Sequence, residues 1–235
     1  MSTLLLRFAA PLQAWGADSK FNRRGTEREP TKSGVIGFLA AALGIRRDEV
    51  GRIQELAKLK FGVRIDQPGE LLRDYHTAAH PEDKKLKFVT ERYYLADAIF
   101  LVGLESEDEA LLRQLDAAVN SPTFPLFFGR RSCPPVGRVS LGIRAVPLAE
   151  ALTKEAWQAA PWYEKKCKEA PIRLTLACDS ERPGAVRRRD LPVSFAQTHR
   201  KYTFRGVDDR ADAVTVQNRQ SRAGQATEHD AFAEL

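Results

Sequence analysis

Pro30-Thr31-Lys32-Ser33-Gly34-Val35-Ile36-Gly37-Phe38-Leu39-Ala40-Ala41-Ala42-Leu43-Gly44 is the stretch from which the fold can be read. Thr31 or Ser33 can cap a helix, and Val35, Ile36, Leu39, Ala42 and Leu43 recur on one face at helical spacing. Gly44 is placed to end it. Upstream, residues 4–8 form a β-compatible apolar run that stops at Pro11 and Gly16. Residues 18–30 are a polar loop carrying Lys20, Arg23, Arg24 and Arg28. Downstream the pattern predicts a helix over 48–59, a strand over 61–65 and a long charged segment over 68–91. A structureless loop of that length is unusual in a compact domain. It reads as an extended hairpin, with 74–77 paired to 86–90. A strand over 94–104, a helix over 108–120 and a strand over 124–128 follow, ending in the turn Gly129-Arg130-Arg131-Ser132-Cys133-Pro134-Pro135. Strand, helix, strand, strand, helix, strand is the ferredoxin-like order of an α+β domain, common among RNA-binding modules.

After Pro147 the texture changes. Strands are expected at 172–178 and 201–207 around the arginine-rich 182–189, either as a small β-rich domain over 147–207 or as an extension of the first sheet. Residues 208–235 carry few large apolar side chains and read as a flexible tail. At 43% apolar content, 235 residues suffice for a substantial core, and no run of about 18 apolar residues predicts a membrane span. Cys133, Cys167 and Cys178 are odd in number and lack CxxC spacing. No disulfide framework, metal or cofactor is expected, and the chain reads as cytoplasmic. A net charge of +6 with 37 Lys and Arg suits a polyanionic partner, although ordinary solubility accounts for it equally.

Three constellations can carry function. At the start of the 31–44 helix, unpaired N–H groups with Thr31, Lys32 and Ser33 suit a phosphate, and Trp15 beside the arginine loop can stack a base. The plainer reading of the same residues is a capped helix and a packed tryptophan. At the hairpin, Tyr75, His76, Thr77 and Arg92 can wedge between bases and hold a backbone. With a lysine such as Lys84 or Lys87, Tyr75 and His76 can also run metal-independent RNA cleavage, and His80 and His199 are the further histidines in reach of that idea. In the Gly129 turn, Arg130, Arg131 and Ser132 form a phosphate grip. Cys133 has no base beside it and reads as a small packed residue. Neither a Walker pattern nor the RRM octapeptide is present.

Taken in order, Leu5-Leu6-Arg7-Phe8-Ala9-Ala10-Pro11-Leu12-Gln13-Ala14-Trp15-Gly16, the 30–37 segment, Asp74-Tyr75-His76-Thr77, Tyr94-Leu95-Ala96-Asp97-Ala98 and Gly129-Arg130-Arg131-Ser132-Cys133-Pro134 resemble the family-five CRISPR-associated proteins of subtype I-E Cascade. The resemblance covers about residues 3–146. It implies a modified ferredoxin-like, RRM-like domain of the RAMP type, with the hairpin over about 68–93 as a thumb. It further implies a non-catalytic subunit in an antiviral ribonucleoprotein, one that holds the 5′ handle of the CRISPR RNA and caps one end of the backbone subunits. Contact with the large subunit, and with target DNA through the complex, is implied as well. The residues matching the handle-gripping motifs are Gln13, Trp15, Thr31, Lys32, Ser33, Tyr75, His76, Arg130 and Arg131. In the related subtype I-C the family-five member cleaves precursor RNA through a tyrosine, a histidine and a lysine, which makes an endoribonuclease the alternative. A scaffold that only contacts protein would leave Arg130 and Arg131 without a purpose.

Overall fold

The computed structural model describes residues 1–16, 23–79, 85, 87–168 and 171–218. Its first strand, β1 (Ser2–Ala9), explains the architecture. Leu4, Leu5, Leu6 and Phe8 are all fully buried, so both faces of this strand are covered. Strand periodicity sends Leu4, Leu6 and Phe8 into one core and Leu5 into another. Next in the chain come the short strands β2 (Leu12–Gln13) and β3 (Arg23–Arg24), helices α1 (Lys32–Ala42) and α2 (Val50–Ala57), and strand β4 (Lys60–Gln67). The hairpin is β5 (Glu70–Ala79) and β6 (Lys87–Ala96). It is followed by β7 (Ile99–Ser106), α3 (Glu109–Asn120), β8 (Ser140–Arg144), α4 (Leu148–Lys154) and α5 (Pro161–Lys166). Strands β9 (Ile172–Asp179), β10 (Val186–Ser194) and β11 (Lys201–Val216) complete the described chain.

Seven strands form one antiparallel sheet in the order β10-β11-β9-β4-β7-β1-β8. Helices α1 and α3 cover the face of Leu4, Leu6 and Phe8, and α4 covers the face of Leu5 and Leu101. Two glycines make the seat for α4. Gly62 and Gly103 lie opposite each other in the β4–β7 ladder, and a Cβ on either would meet Leu148 or Leu152 at 2.5–2.8 Å. A second, smaller sheet is built on β6, which pairs with β5 on one edge and with β2 and β3 on the other. Among the described residues no helix is long and apolar enough to cross a membrane.

The capped 31–44 helix, the 108–120 helix and the long hairpin form where the sequence puts them. Three expectations need correction, and the open choice for the C-terminal strands is decided for an extension of the first sheet. The strand expected over 94–104 is two strands. Asp97 takes a left-handed conformation (φ 55°), which a short polar side chain tolerates, and turns the chain from the hairpin into the main sheet. Residues 124–128 are not a strand. Their N–H groups are spent elsewhere: Phe124 donates to Ala41 O at the end of α1, and Phe128 donates to Cys133 O. The edge strand beside β1 is β8 instead. The C-terminal strands extend the main sheet, because β9 pairs with β4 from Gly62↔Cys178 to Ile65↔Thr175. Finally, a tail starting at residue 208 would cut β11, which continues to Val216 with Val214 and Val216 buried. The remainder, 219–235, lies outside the described residues.

The linker between α4 and α5 is pinned by a wholly buried ion pair. Arg64 makes two bonds to Asp66 (2.7 and 2.8 Å) and donates to the carbonyls of Leu152, Glu155 and Ala156. Asp66 also accepts from Gln158 N, so each charge is surrounded by partners. Removing one member strands the other in the interior. Arg64→Met should lower unfolding stability by about 3–5 kcal/mol in urea titrations. A drop under about 1 kcal/mol would show that the linker is held by something else.

Candidate nucleic-acid interface

The residues singled out at the start of α1 serve the interior. Thr31 caps the helix, its Oγ1 accepting from Gly34 N at 3.2 Å. The anion at the helix N-terminus comes from this chain itself. Lys32 N donates to Asp190 Oδ2 (2.8 Å), and Lys32 Nζ donates to Asp179 Oδ2 (2.8 Å). Arg205 then bridges Asp190 and Asp179. The donors of Lys32 are thus taken by carboxylates and the Thr31 hydroxyl by the helix cap, which corrects the expectation that Thr31 and Lys32 hold a phosphate. Trp15 is 1% exposed and stacks on Phe8 (centroids 5.7 Å apart), with Nε1 donating to Gln13 Oε1. Gln13, also buried, donates to Ala98 O at 2.7 Å. Base stacking on Trp15 is thus excluded by its burial, and Gln13 fixes the junction of hairpin and sheet. Ser33 lines one surface cleft, and Thr31 lines another together with Glu29, Arg188, Asp190 and Asp209.

The root of the hairpin has two unlike faces. Alternation along β5 and β6 places Arg73, Tyr75, Thr77, Glu91 and Tyr93 on one side. There charge is largely cancelled within the hairpin. Arg73 pairs with Glu91 at 2.5 Å, Tyr93 Oη donates to Glu91 at 3.2 Å, and Arg23 lies over the Tyr93 ring. Leu72, Asp74, His76, Arg92 and Tyr94 occupy the other side. Arg130 joins them, with its guanidinium 4.4 Å above the Tyr94 ring and one nitrogen donating to Arg24 O at 2.9 Å. Arg130 Nη1 and Arg92 Nε are buried with no hydrogen-bond partner among the described residues. Unspent guanidinium donors beside an aromatic ring suit an oxyanion such as a phosphodiester.

Tyr75 and His76 are consecutive on β5 and so point to opposite faces; Lys87 shares the side of Tyr75. These three do not converge, and Lys20, Lys84 and His80 lie outside the described residues. Two of the cysteine thiols are pushed up by burial, Cys133 and Cys178, the latter to about 12 with the help of Asp179. Neither is a nucleophile near neutral pH.

The turn at Gly129 separates the two expected arginines. Gly129 has φ 83°, and a Cβ there would overlap the carbonyl of Ala14. Ala14 N donates to Phe128 O and Cys133 N to Arg130 O, so the turn is tied at both ends. Arg130 goes to the hairpin root, while Arg131 lines a cleft of about 830 Å³ that Ser33 also faces. Ser132 is exposed beside the buried Cys133. Arg46, Arg47, Phe195, Arg200 and Tyr202 line the same cleft and escaped the sequence reading. The signal available for them was faint: an Arg-Arg pair after Gly44, and the basic-aromatic run His199-Arg200-Lys201-Tyr202.

The family model described as CRISPR-associated protein (Cas_Cas5) matches residues 3–208. The chain belongs to this family. This Cas_Cas5 chain is 39% identical over 158 residues to the CRISPR system Cascade subunit CasD of Escherichia coli (strain K12), covering 60% of this chain and 70% of that protein. A solved chain titled "CRISPR RNA-guided surveillance complex" superposes with a TM-score of 0.74 at 29% identity over 91% of both chains. Another, titled "Crystal structure of Cas protein", gives 0.68 at 35% identity over 93% of this chain and 97% of that one.

The buried position of Lys32 has a measurable consequence for this Cas_Cas5 chain. Lys32→Ala should cost about 1–3 kcal/mol of stability, as removal of a buried charged hydrogen bond does. It should leave the slope of log K against log salt unchanged for single-stranded RNA. A slope smaller by about 0.7 would make Lys32 a phosphate ligand after all.

Proposed function

We propose that this chain is the non-catalytic subunit of a type I-E CRISPR surveillance complex that binds the 5′ handle of the CRISPR RNA and caps the backbone end of the assembly. The observation that carries this reading is the pair of unspent donors on Arg92 and Arg130 beside Tyr94, at the root of a protruding hairpin, in a relative of Cascade subunit CasD. Phosphate oxygens are the partners such donors lack. The hairpin serves as the thumb, its exposed Tyr75, Phe88 and Val89 available to neighbouring subunits or to RNA. Backbone and large subunits are the protein partners, and target DNA is reached through the complex. The site of action is the cytoplasm, and no cofactor takes part.

The order β8-β1-β7-β4 with α1 and α3 on one face supports naming residues 1–146 a modified ferredoxin-like domain of the RAMP type, into which the thumb is inserted between β4 and β7. Against the endoribonuclease alternative stands the opposed placement of Tyr75 and His76, since general acid–base chemistry requires both groups at one scissile phosphate.

The test uses the purified full chain and single-stranded RNA of the CRISPR repeat, in EDTA, with binding and cleavage followed together. Intact RNA and salt-sensitive binding are expected. Arg92→Ala with Arg130→Ala should weaken retention and reduce the salt slope by about 0.7 for each phosphate no longer neutralised. An unchanged slope removes these arginines from the interface. Cleavage that disappears on His76→Ala would replace the whole reading with the nuclease.

A further inference from the structure

The cleft on the other side of the Gly129 turn has a composition unlike the rest of the surface. Its lining holds four arginines, Arg46, Arg47, Arg131 and Arg200, and no carboxylate. Several arginines elsewhere in the fold are spent on acids: Arg64 on Asp66, Arg144 on Glu155, Arg188 on Glu29 and Asp209, Arg205 on Asp179 and Asp190. Among the described residues none of the four cleft arginines has a carboxylate within ion-pair distance, and all four are exposed. The floor is apolar. It is made by Phe127, the Gly37 side of α1 and the rings of Phe195 and Tyr202, whose centroids are 6.3 Å apart, with Phe195 lying directly against Gly37. Burial dominates at the Tyr202 phenol and pushes its pKa up, although Arg200 and Arg47 pull it down, so the group stays protonated at neutral pH.

An aromatic floor under a rim of unpaired guanidiniums matches one ligand chemistry: a flat base carrying a phosphate. The volume lies within the range of small-molecule sites and accommodates one nucleotide with its flanking phosphates. Position supplies the source. Arg130 and Arg131 are adjacent residues, with Cα atoms about 3.8 Å apart, and the fixed turn aims one at the hairpin root and the other into the cleft. We propose that the cleft is a nucleotide subsite that takes one unpaired nucleotide of the RNA held at the hairpin root, its base against Phe195 and Tyr202 and its phosphates on Arg47, Arg131 and Arg200. This rests on the RNA-binding reading above and adds a second, base-holding site to it.

The experiment scans the single-stranded repeat RNA with 2-aminopurine, one position at a time, against the full chain. One position is expected to be quenched on binding, and an abasic site there should weaken affinity about tenfold. In Tyr202→Ala that quenching and that abasic penalty should both vanish, while the other positions behave as before. Should Tyr202→Ala lose its circular dichroism, Arg47→Ala with Arg200→Ala, both on the exposed rim, must abolish the same position-specific penalty. RNA binding that depends on Arg92 and Arg130 yet shows no position coupled to Tyr202, Arg47 or Arg200 overturns the subsite and leaves the RNA-binding reading standing. AMP that binds through Tyr202 with no coupled RNA position would assign the cleft to a free nucleotide and overturn it as well. A chain that binds no repeat RNA loses both readings.

Discussion

Four charges, three of them buried and Asp179 partly so, tie the start of α1 to the C-terminal strands. Lys32 opens α1, and Asp179, Asp190 and Arg205 come from three different C-terminal strands. Two cations and two anions cancel, and each carboxylate is also engaged by a backbone donor: Phe61 N on Asp179, and Lys32 N on Asp190. Arg205 lies in addition over the Phe61 ring at 5.0 Å. Burying charge is costly unless geometry and hydrogen bonds compensate, and here they do on every side. The functional surface depends on this knot. It holds α1, which carries Ser33, against β10, and so keeps Phe195 and Arg200 in the β10–β11 connection and Tyr202 in β11 beside α1 in the cleft.

How much of this was legible in the sequence depends on how local the cause is. The α1 helix, its Thr31 cap and its stop at Gly44 follow from neighbouring residues, and so does α3. The hairpin was readable because two β-compatible segments flank a polar stretch too long for a plain loop. The break at Asp97 was not, since Tyr94-Leu95-Ala96 and Ala98-Ile99-Phe100 are apolar on either side and a single left-handed residue leaves little trace. Phe124 to Phe128 looks like a strand by composition, yet its amides are claimed by α1 and by Cys133, partners far away in the chain or across a turn. In each such case a tertiary hydrogen bond overrode local propensity.

The same division runs through the site. Arg130, Arg131 and Arg92, the proposed RNA contacts, stand on a turn and a hairpin that the sequence motifs single out. Gln13, Trp15 and Lys32 stand in motifs just as distinctive, but there the motif encodes packing. Trp15 is fitted so closely that a Cβ on Gly34 would lie 2.8 Å from its ring. A motif thus marks a position that matters without saying whether a ligand or the core imposes the demand. Arg200 and Tyr202 are the converse: they meet Arg47 and Arg131 only because the knot of Lys32, Asp179, Asp190 and Arg205 folds β10 and β11 over α1.

Gly129 concentrates much of this in one backbone position. Its left-handed conformation and the Ala14 carbonyl pressed against it exclude any side chain. The arginine on its C-terminal side and the next one serve surfaces on opposite sides of the turn. A substitution at Gly129 would therefore act on both surfaces at once, though the residue offers neither charge nor ring to a ligand. In a mutational survey such a position would score like a binding residue because of the backbone it shapes, not a side chain it offers. Both arginines would respond together to a change in the glycine before them.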